Sequence, residues 1–130
     1  MTEERDPVTI VEAAYRVWNA DGPHAFAGHV TDQVQLHDAP DLPDAQVWAG
    51  RDSLVARLEE VVATTGGRWA DVDDVRPVAG EVLVSLTWRF ERDSPETLAS
   101  VYHVVRVEGE RIDRIRVFLD EAEAVRAAGG

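Results

Sequence analysis

The sequence predicts an α+β domain in which a cone-shaped, curved sheet of mixed or antiparallel strands wraps around N-terminal helices. Apolar residues recur at helical spacing in the first part of the chain, and residues alternate with the period of a strand after Gly66-Gly67. Helices followed by a run of strands are typical of α+β folds. The length of 130 residues fits one domain, residues 1–130.

The first helix is predicted to begin at Asp6-Pro7, with Asp6 as its cap and Pro7 at the first helical position. Large side chains then recur at steps of three and four and share one face: Val8, Val11, Tyr15 and Trp18. The segment Asp21-Gly22-Pro23 indicates a stop. Residues 24–30 are predicted to form a short second helix with Phe26 and Val30 inward.

The first strand is predicted at residues 33–38, where one side carries Val34, Leu36 and Asp38. A loop rich in Pro and Asp, residues 39–46, leads to the short segment Val47-Trp48. A second long helix follows, and it ends at Gly66-Gly67. Its apolar stripe consists of Leu54, Leu58, Val61 and Thr65.

Two strands are predicted next, joined by a turn at Ala79-Gly80. The first covers residues 68–78. The inward set of the second is Val82, Val84, Leu86, Trp88 and Phe90.

After a turn at residues 93–96, two more strands are predicted, with Gly109-Glu110 as a two-residue hairpin turn between them. Their inward sets are Ala99, Val101, His103, Val105 and Val107, and then Ile115, Val117 and Leu119. Asp120 with Glu123 is predicted to cap a terminal helix that ends at Gly129.

The opposite face of these last two strands mixes apolar and basic residues, namely Tyr102, Val104, Arg106, Arg114, Arg116 and Phe118. Such a face is typical of a solvated sheet surface or of a self-complementary dimer surface. We expect a homodimer through this outer sheet face.

The composition excludes several classes of function. Acidic residues outnumber basic ones by 25 to 13, so a net charge of -12 disfavours nucleic acid and anionic membranes as partners. Most of these acids are expected to be solubilising. The absence of cysteine excludes disulfides, thiolate nucleophiles and cysteine zinc sites. The charged start and the lack of a long apolar run favour a cytoplasmic, non-membrane protein. No phosphate loop, dinucleotide fingerprint or metal-ligand spacing occurs, so neither cofactor nor metal is expected.

Two polar residues, Asp38 and His103, lie on the apolar side of their predicted strands. Burying either without a partner costs a few kcal/mol, so each needs a hydrogen bond, a counter-charge or a wet cavity. In one shared cavity, desolvation would tune them as a general base and its hydrogen-bonding partner. Alternatively, His103 is a core histidine bonded to a backbone carbonyl, and Asp38 starts an Asx turn.

Other inward side chains complete a candidate pocket. Tyr15 would add a phenol, although a core tyrosine with a satisfied hydroxyl fits the same pattern. Candidate ligand-binding residues are Trp18, Trp48, Trp88, Phe90, Val117 and Leu119. Large aromatics around a few polar groups are typical of a pocket for a flat hydrophobic molecule, and equally of a plain core.

Three segments carry diffuse family patterns: Trp18-Asn19-Ala20-Asp21, Val47-Trp48-Ala49-Gly50-Arg51-Asp52 and residues 111–122. On these segments the chain resembles the nuclear transport factor 2-like superfamily, and within it the SnoaL-like polyketide cyclase and ketosteroid isomerase group. The resemblance covers nearly the whole chain. It implies a cystatin-like α+β barrel with a deep pocket, usually dimeric and free of metal and cofactor.

The resemblance also implies roles for individual residues. In the isomerases an Asp at the end of the first strand moves a proton next to a ketone, and Asp38 matches that position. His103 matches the position of a protonated acid, and Tyr15 lies about one residue from the place of the isomerase tyrosine. Cyclases carry an inward Asp on the final strand, where this chain has only Ile115, Val117 and Leu119.

The leading hypothesis is an isomerase or cyclase-like lyase that acts on a hydrophobic carbonyl compound. Asp38 would remove the proton, and His103, with Tyr15, would donate a hydrogen bond to the enolate oxygen. One alternative is a non-catalytic ligand-binding or dimerisation module of the same fold. Another is a water-adding enzyme like the limonene epoxide hydrolase relatives, which use an Asp-Arg-Asp arrangement; no assigned inward position carries the required Arg.

Overall fold

A computed structural model describes residues 6–129 of the chain. The helices in this part are α1 (Pro7–Asp21), α2 (Pro23–Phe26), α3 (Arg51–Thr65) and α4 (Glu121–Ala127). The strands are β1 (Val30–His37), β2 (Val47–Ala49), β3 (Trp69–Val78), β4 (Glu81–Arg89), β5 (Ala99–Glu108) and β6 (Arg111–Phe118). These strands form one mixed sheet in the order β2-β1-β6-β5-β4-β3. The predicted α+β class is confirmed, but β2 and β3 are free edges, so the sheet is open rather than a closed barrel.

Helix α1 begins at Pro7, as predicted, and ends where Gly22 (φ 85°) donates its backbone N–H to the Trp18 carbonyl. Asp6 occupies the N-cap position, as predicted, but its side chain makes no capping hydrogen bond. The helix buries one face: Ile10, Val11, Ala14, Tyr15 and Trp18. The predicted second helix is shorter, because a single 3-10 turn follows Phe26 and Val30 already starts β1.

Strand pairing brings the end of β1 next to the end of β6. These two strands are parallel, with Leu36 beside Ile115, whereas all other neighbouring strands are antiparallel. His103 lies between Val84 and Val117 in the centre of the sheet. The register shifts in the β3–β4, β5–β6 and β1–β6 pairs, and such bulges bend a sheet.

The inner face of the sheet packs against α1 and α3, and their apolar side chains form the main core. Two predicted inward residues lie outside this core: Phe90 is 39% exposed, and Leu119, which follows the end of β6, is 46% exposed. Strand β4 ends at Arg89, so the alternation does not continue, and the Phe90 ring lies near Gly66.

Part of the outer face is covered by α4. A second core cluster consists of Leu83, Val104, Phe118 and Ala124. The prediction that Val104 and Phe118 lie on a solvated or dimer surface is therefore wrong, because both are buried beneath the terminal helix. Association of two copies through the rest of this face stays a prediction.

Two acids, Glu81 and Asp113, are buried on the outer face. Glu81 accepts hydrogen bonds from Arg114, Arg116 and the backbone N–H of Gly129. Asp113 accepts hydrogen bonds from Arg106 and Thr31, the latter over 3.0 Å. Each carboxylate is thereby neutralised by arginine. The described residues include no helix with the length and apolar character needed to cross a membrane.

Candidate functional site

A cavity of about 480 Å³ lies between the inner face of the sheet and helices α1 and α3. This volume is in the range of pockets that hold small molecules. Most of the lining is apolar, and it includes Trp18, Phe26, Leu36, Leu58, Trp88 and Val101. Small side chains at Ala39, Ala70 and Ala99 also line it, so space remains where larger residues would fill the core.

The structure brings most of the predicted site residues to this cavity. Its lining contains Tyr15, Trp18, Asp38, Trp88, His103, Val117 and Leu119. Phe90 is not part of the lining, because it lies beyond the end of β4. Trp48 lines an adjoining cavity of about 280 Å³, which shares Asp38, Leu42, Arg57 and Glu60 with the first.

Tyr15 and His103 form a hydrogen-bonded pair within the apolar lining. The Tyr15 hydroxyl oxygen lies 2.6 Å from Nδ1 of His103. Burial lowers the pKa of His103 to about 4 and raises the pKa of Tyr15, so both are neutral at pH 7. When the hydroxyl donates to Nδ1, the imidazole proton is on Nε2 and the ring is a hydrogen-bond donor. His103 therefore has a side-chain partner, not the backbone carbonyl of the core alternative.

Asp38 follows β1 directly, and its side chain is only 7% exposed. The carboxylate accepts hydrogen bonds from Nε of Arg57 (3.0 Å), Nε1 of Trp48 (3.1 Å) and the backbone N–H of Gln46 (3.1 Å). A carboxylate has about four lone-pair positions. These three donors therefore leave one position for a ligand or a proton.

The backbone of Asp38 also closes the loop that follows it. Its N–H donates to the Gln46 carbonyl over 3.0 Å, while the Gln46 N–H binds the carboxylate. The carboxylate therefore binds a backbone N–H eight residues on, not the one two residues on that an Asx turn requires, so the Asx alternative is wrong. Asp38 closes this loop and also lies in the cavity wall.

Arg57 is the site residue that the sequence analysis missed. It lies on α3 between two carboxylates, with Nε on Asp38 and Nη1 3.1 Å from Glu60. Its Cζ is 5.4 Å from the centre of the Trp48 ring. Arg57 comes three residues after Leu54 and four before Val61, so helical spacing places it beside the apolar stripe. The inward positions assigned from the sequence did not include Arg57, which lines both cavities.

No group of three or more His, Asp or Glu residues within residues 6–129 is placed to hold a metal ion. The chemistry that the described side chains themselves offer is proton transfer and hydrogen bonding. Asp38 is an acceptor at one part of the cavity lining, and the Tyr15–His103 pair is a neutral polar group at another.

Comparison with known proteins supports the fold. The model of the SnoaL-like domain matches residues 11–115. No curated protein matches the sequence. Bal32a, from a soil-derived mobile gene cassette, is similar with a TM-score of 0.72 and 17% identity, over 91% of this chain and 92% of that protein.

Two further solved structures are similar at low identity. A protein from Catenulispora acidiphila with a ketosteroid isomerase-like fold, in complex with trimethylamine, has a TM-score of 0.66 and 14% identity over 92% of each chain. An NTF2-like protein of unknown function from Mesorhizobium loti has a TM-score of 0.67 and 16% identity, over 92% of this chain and 97% of that one. At these identities the likeness shows the fold alone.

Proposed function

Because this chain belongs to the SnoaL-like domain family, we propose that its cavity binds a small hydrophobic carbonyl compound and moves a proton at the carbon next to the carbonyl. One observation carries the proposal: Asp38 and the Tyr15–His103 pair line a single cavity whose remaining lining is largely apolar. An acceptor and a neutral donor in such surroundings are what isomerases and cyclases of this type need.

In the proposed step, the ionised Asp38 carboxylate takes the proton from the carbon through its remaining lone pair. The electron pair of the broken C–H bond moves toward the carbonyl, and an enolate forms. Its oxygen accepts a hydrogen bond from Nε2–H of His103, and the Tyr15 hydroxyl holds the ring through Nδ1. When the substrate has a C=C bond next to the deprotonated carbon, the enolate is conjugated with it. Return of the proton from Asp38 to the far carbon of that bond shifts the double bond, restores the carbonyl and completes an isomerisation. Fixed donors are most effective in surroundings of low polarity, and most of this lining is apolar.

Hydrogen exchange tests this proposal without knowledge of the natural substrate. Hydrophobic cyclic ketones are incubated with the protein in D2O, and deuterium uptake next to the carbonyl is followed by NMR. The wild type is expected to accelerate exchange, and Asp38→Asn to lower the rate by about 10²- to 10⁴-fold. Asp41→Asn is the matched control, since Asp41 is exposed in the same loop and lines neither cavity.

Two outcomes would contradict the proposal. An equal loss of exchange rate in Asp38→Asn and Asp41→Asn would show that Asp38 has no specific role in the reaction. Binding of ketones without accelerated exchange would instead favour the non-catalytic ligand-binding module.

The position of Arg57 favours water addition as a second candidate function. Its guanidinium joins Asp38 and Glu60, an acid-arginine-acid order that is similar to the arrangement of limonene epoxide hydrolase relatives. The test is conversion of a hydrophobic epoxide to the diol in H2¹⁸O, with ¹⁸O incorporation measured by mass spectrometry. Absence of labelled diol would reject this candidate.

A further inference from the structure

The two adjoining cavities hold a single permanent cation among residues 6–129. Arg57 is the only arginine or lysine in either lining, whereas Asp38, Asp44 and Glu60 supply carboxylates. His103 adds no charge at pH 7, because burial lowers its pKa to about 4. The linings therefore carry more negative than positive charge.

The guanidinium of Arg57 already binds other side chains of the protein. Nε of Arg57 binds Asp38, Nη1 binds Glu60, and the Trp48 ring lies over Cζ. The arginine side chain is 19% exposed. A ligand carboxylate that entered the cavity would have to compete with two protein carboxylates for this guanidinium.

Glu60 differs from Asp38 in what it contributes to the fold. Its side chain is 59% exposed, and its contact with Arg57 is an i,i+3 pair on one helix. Exposed pairs of this kind contribute little to stability. The main effect of Glu60 is therefore to offset the positive charge that Arg57 presents to the cavity. Without Glu60, the guanidinium could offer paired N–H groups to a ligand carboxylate, the geometry in which arginine binds carboxylates best.

We propose that Glu60 is a specificity-determining residue: by holding Arg57, it makes the cavity select uncharged hydrophobic ligands and reject hydrophobic carboxylates. The inference deepens the proposed function and rests on it, since it requires that the cavity bind a hydrophobic molecule. It defines the substrate class as neutral carbonyl compounds.

The test uses two probes with one ring system and different charge, methyl 2-naphthoate and 2-naphthoate. Binding to the wild type and the variants is measured by calorimetry at pH 7. In the wild type the ester is expected to bind at least about tenfold more tightly than the carboxylate. Glu60→Gln is expected to raise affinity for the carboxylate, relative to affinity for the ester, by about tenfold.

Glu59→Gln is the matched control. It makes the same charge change one residue away on α3, and Glu59 lies on neither cavity lining but beside His24. We expect this variant to bind both probes as the wild type does.

Each contrary outcome has a separate meaning. If the wild type binds neither probe, the proposed function and this inference both fail. If it binds the two probes equally, the proposed pocket stands and the selectivity fails. A gain in carboxylate binding that is equal in Glu59→Gln and Glu60→Gln would reflect net charge and would overturn the role of Glu60.

Discussion

On the outer face of the sheet, Glu81 is enclosed by two arginines and the end of α4, whereas on the inner face Asp38 meets one arginine at a cavity wall. The two side chains are almost equally buried, 6% and 7% exposed. Burial alone therefore does not distinguish a structural carboxylate from a candidate catalytic one. The difference is the packing around them, because α4 and the residues after it pack over the part of the outer face that holds Glu81, while α1 and α3 leave space on the inner face.

The largest effect is expected when the outer cluster is broken. Glu81→Gln removes the counter-charge of Arg114 and Arg116, whose side chains are each only 15% exposed. Removing the carboxylate from a buried ion-pair cluster is strongly unfavourable, so the free energy of unfolding should fall by about 3 kcal/mol. Urea denaturation measures this loss. Affinity for methyl 2-naphthoate should not change. If Glu81→Gln reduced this affinity without reducing stability, Glu81 would act on the cavity and not on the fold.

The buried Tyr15–His103 pair should make the free energy of unfolding depend on pH, through the protonation of His103. Its folded pKa of about 4 lies below its ordinary value of 6.5, so the unfolded chain binds more protons between these values. Stability is therefore full above pH 6.5 and falls as the pH decreases toward 4, by about 3 kcal/mol at 1.36 kcal/mol per pKa unit. Denaturation at several pH values should show a shallower loss in His103→Phe. Parallel curves for the two proteins would refute the assignment of a neutral, buried imidazole.

The smallest of the three effects concerns the cavity wall. A Cβ on Gly67 would overlap Nε1 and Cδ1 of Trp88, whose ring lines the cavity. Gly67→Ala should displace that ring, lower the free energy of unfolding by about 2 kcal/mol and weaken binding of the ester. Gly28→Ala is the control, because a Cβ there would meet nothing within 4 Å. Thermal denaturation and calorimetry compare the two variants, and equal behaviour would show that Trp88 moves without cost.

Much of the inner face could be predicted from the sequence because periodicity reports which side chains share a surface. The alternation of β5 placed His103 inward, and the helical spacing of α1 placed Tyr15 opposite it. Both line the cavity. Asp38 was identified in the same way, as a charged residue on an apolar strand face. Periodicity also failed at one strand end, since it could not show that β4 stops before Phe90.

The partners of these residues could not be predicted, because they come from distant parts of the chain. Arg57 is 19 residues from Asp38, and Tyr15 is 88 residues from His103. Likewise, Val104 and Phe118 are buried because α4 packs back against the sheet, and the sequence does not show where this terminal helix packs. No local sequence pattern predicts such contacts between distant residues.

The sequence by itself determined the α+β class, the inward positions of the sheet and the unusual place of Asp38, because these depend on the fixed periods of helix and strand. Only the tertiary structure decided that Arg57 neutralises Asp38, that Tyr15 binds His103, and that space remains between them. Those outcomes depend on how whole elements pack, since a cavity is the volume that side chains from several elements leave unfilled.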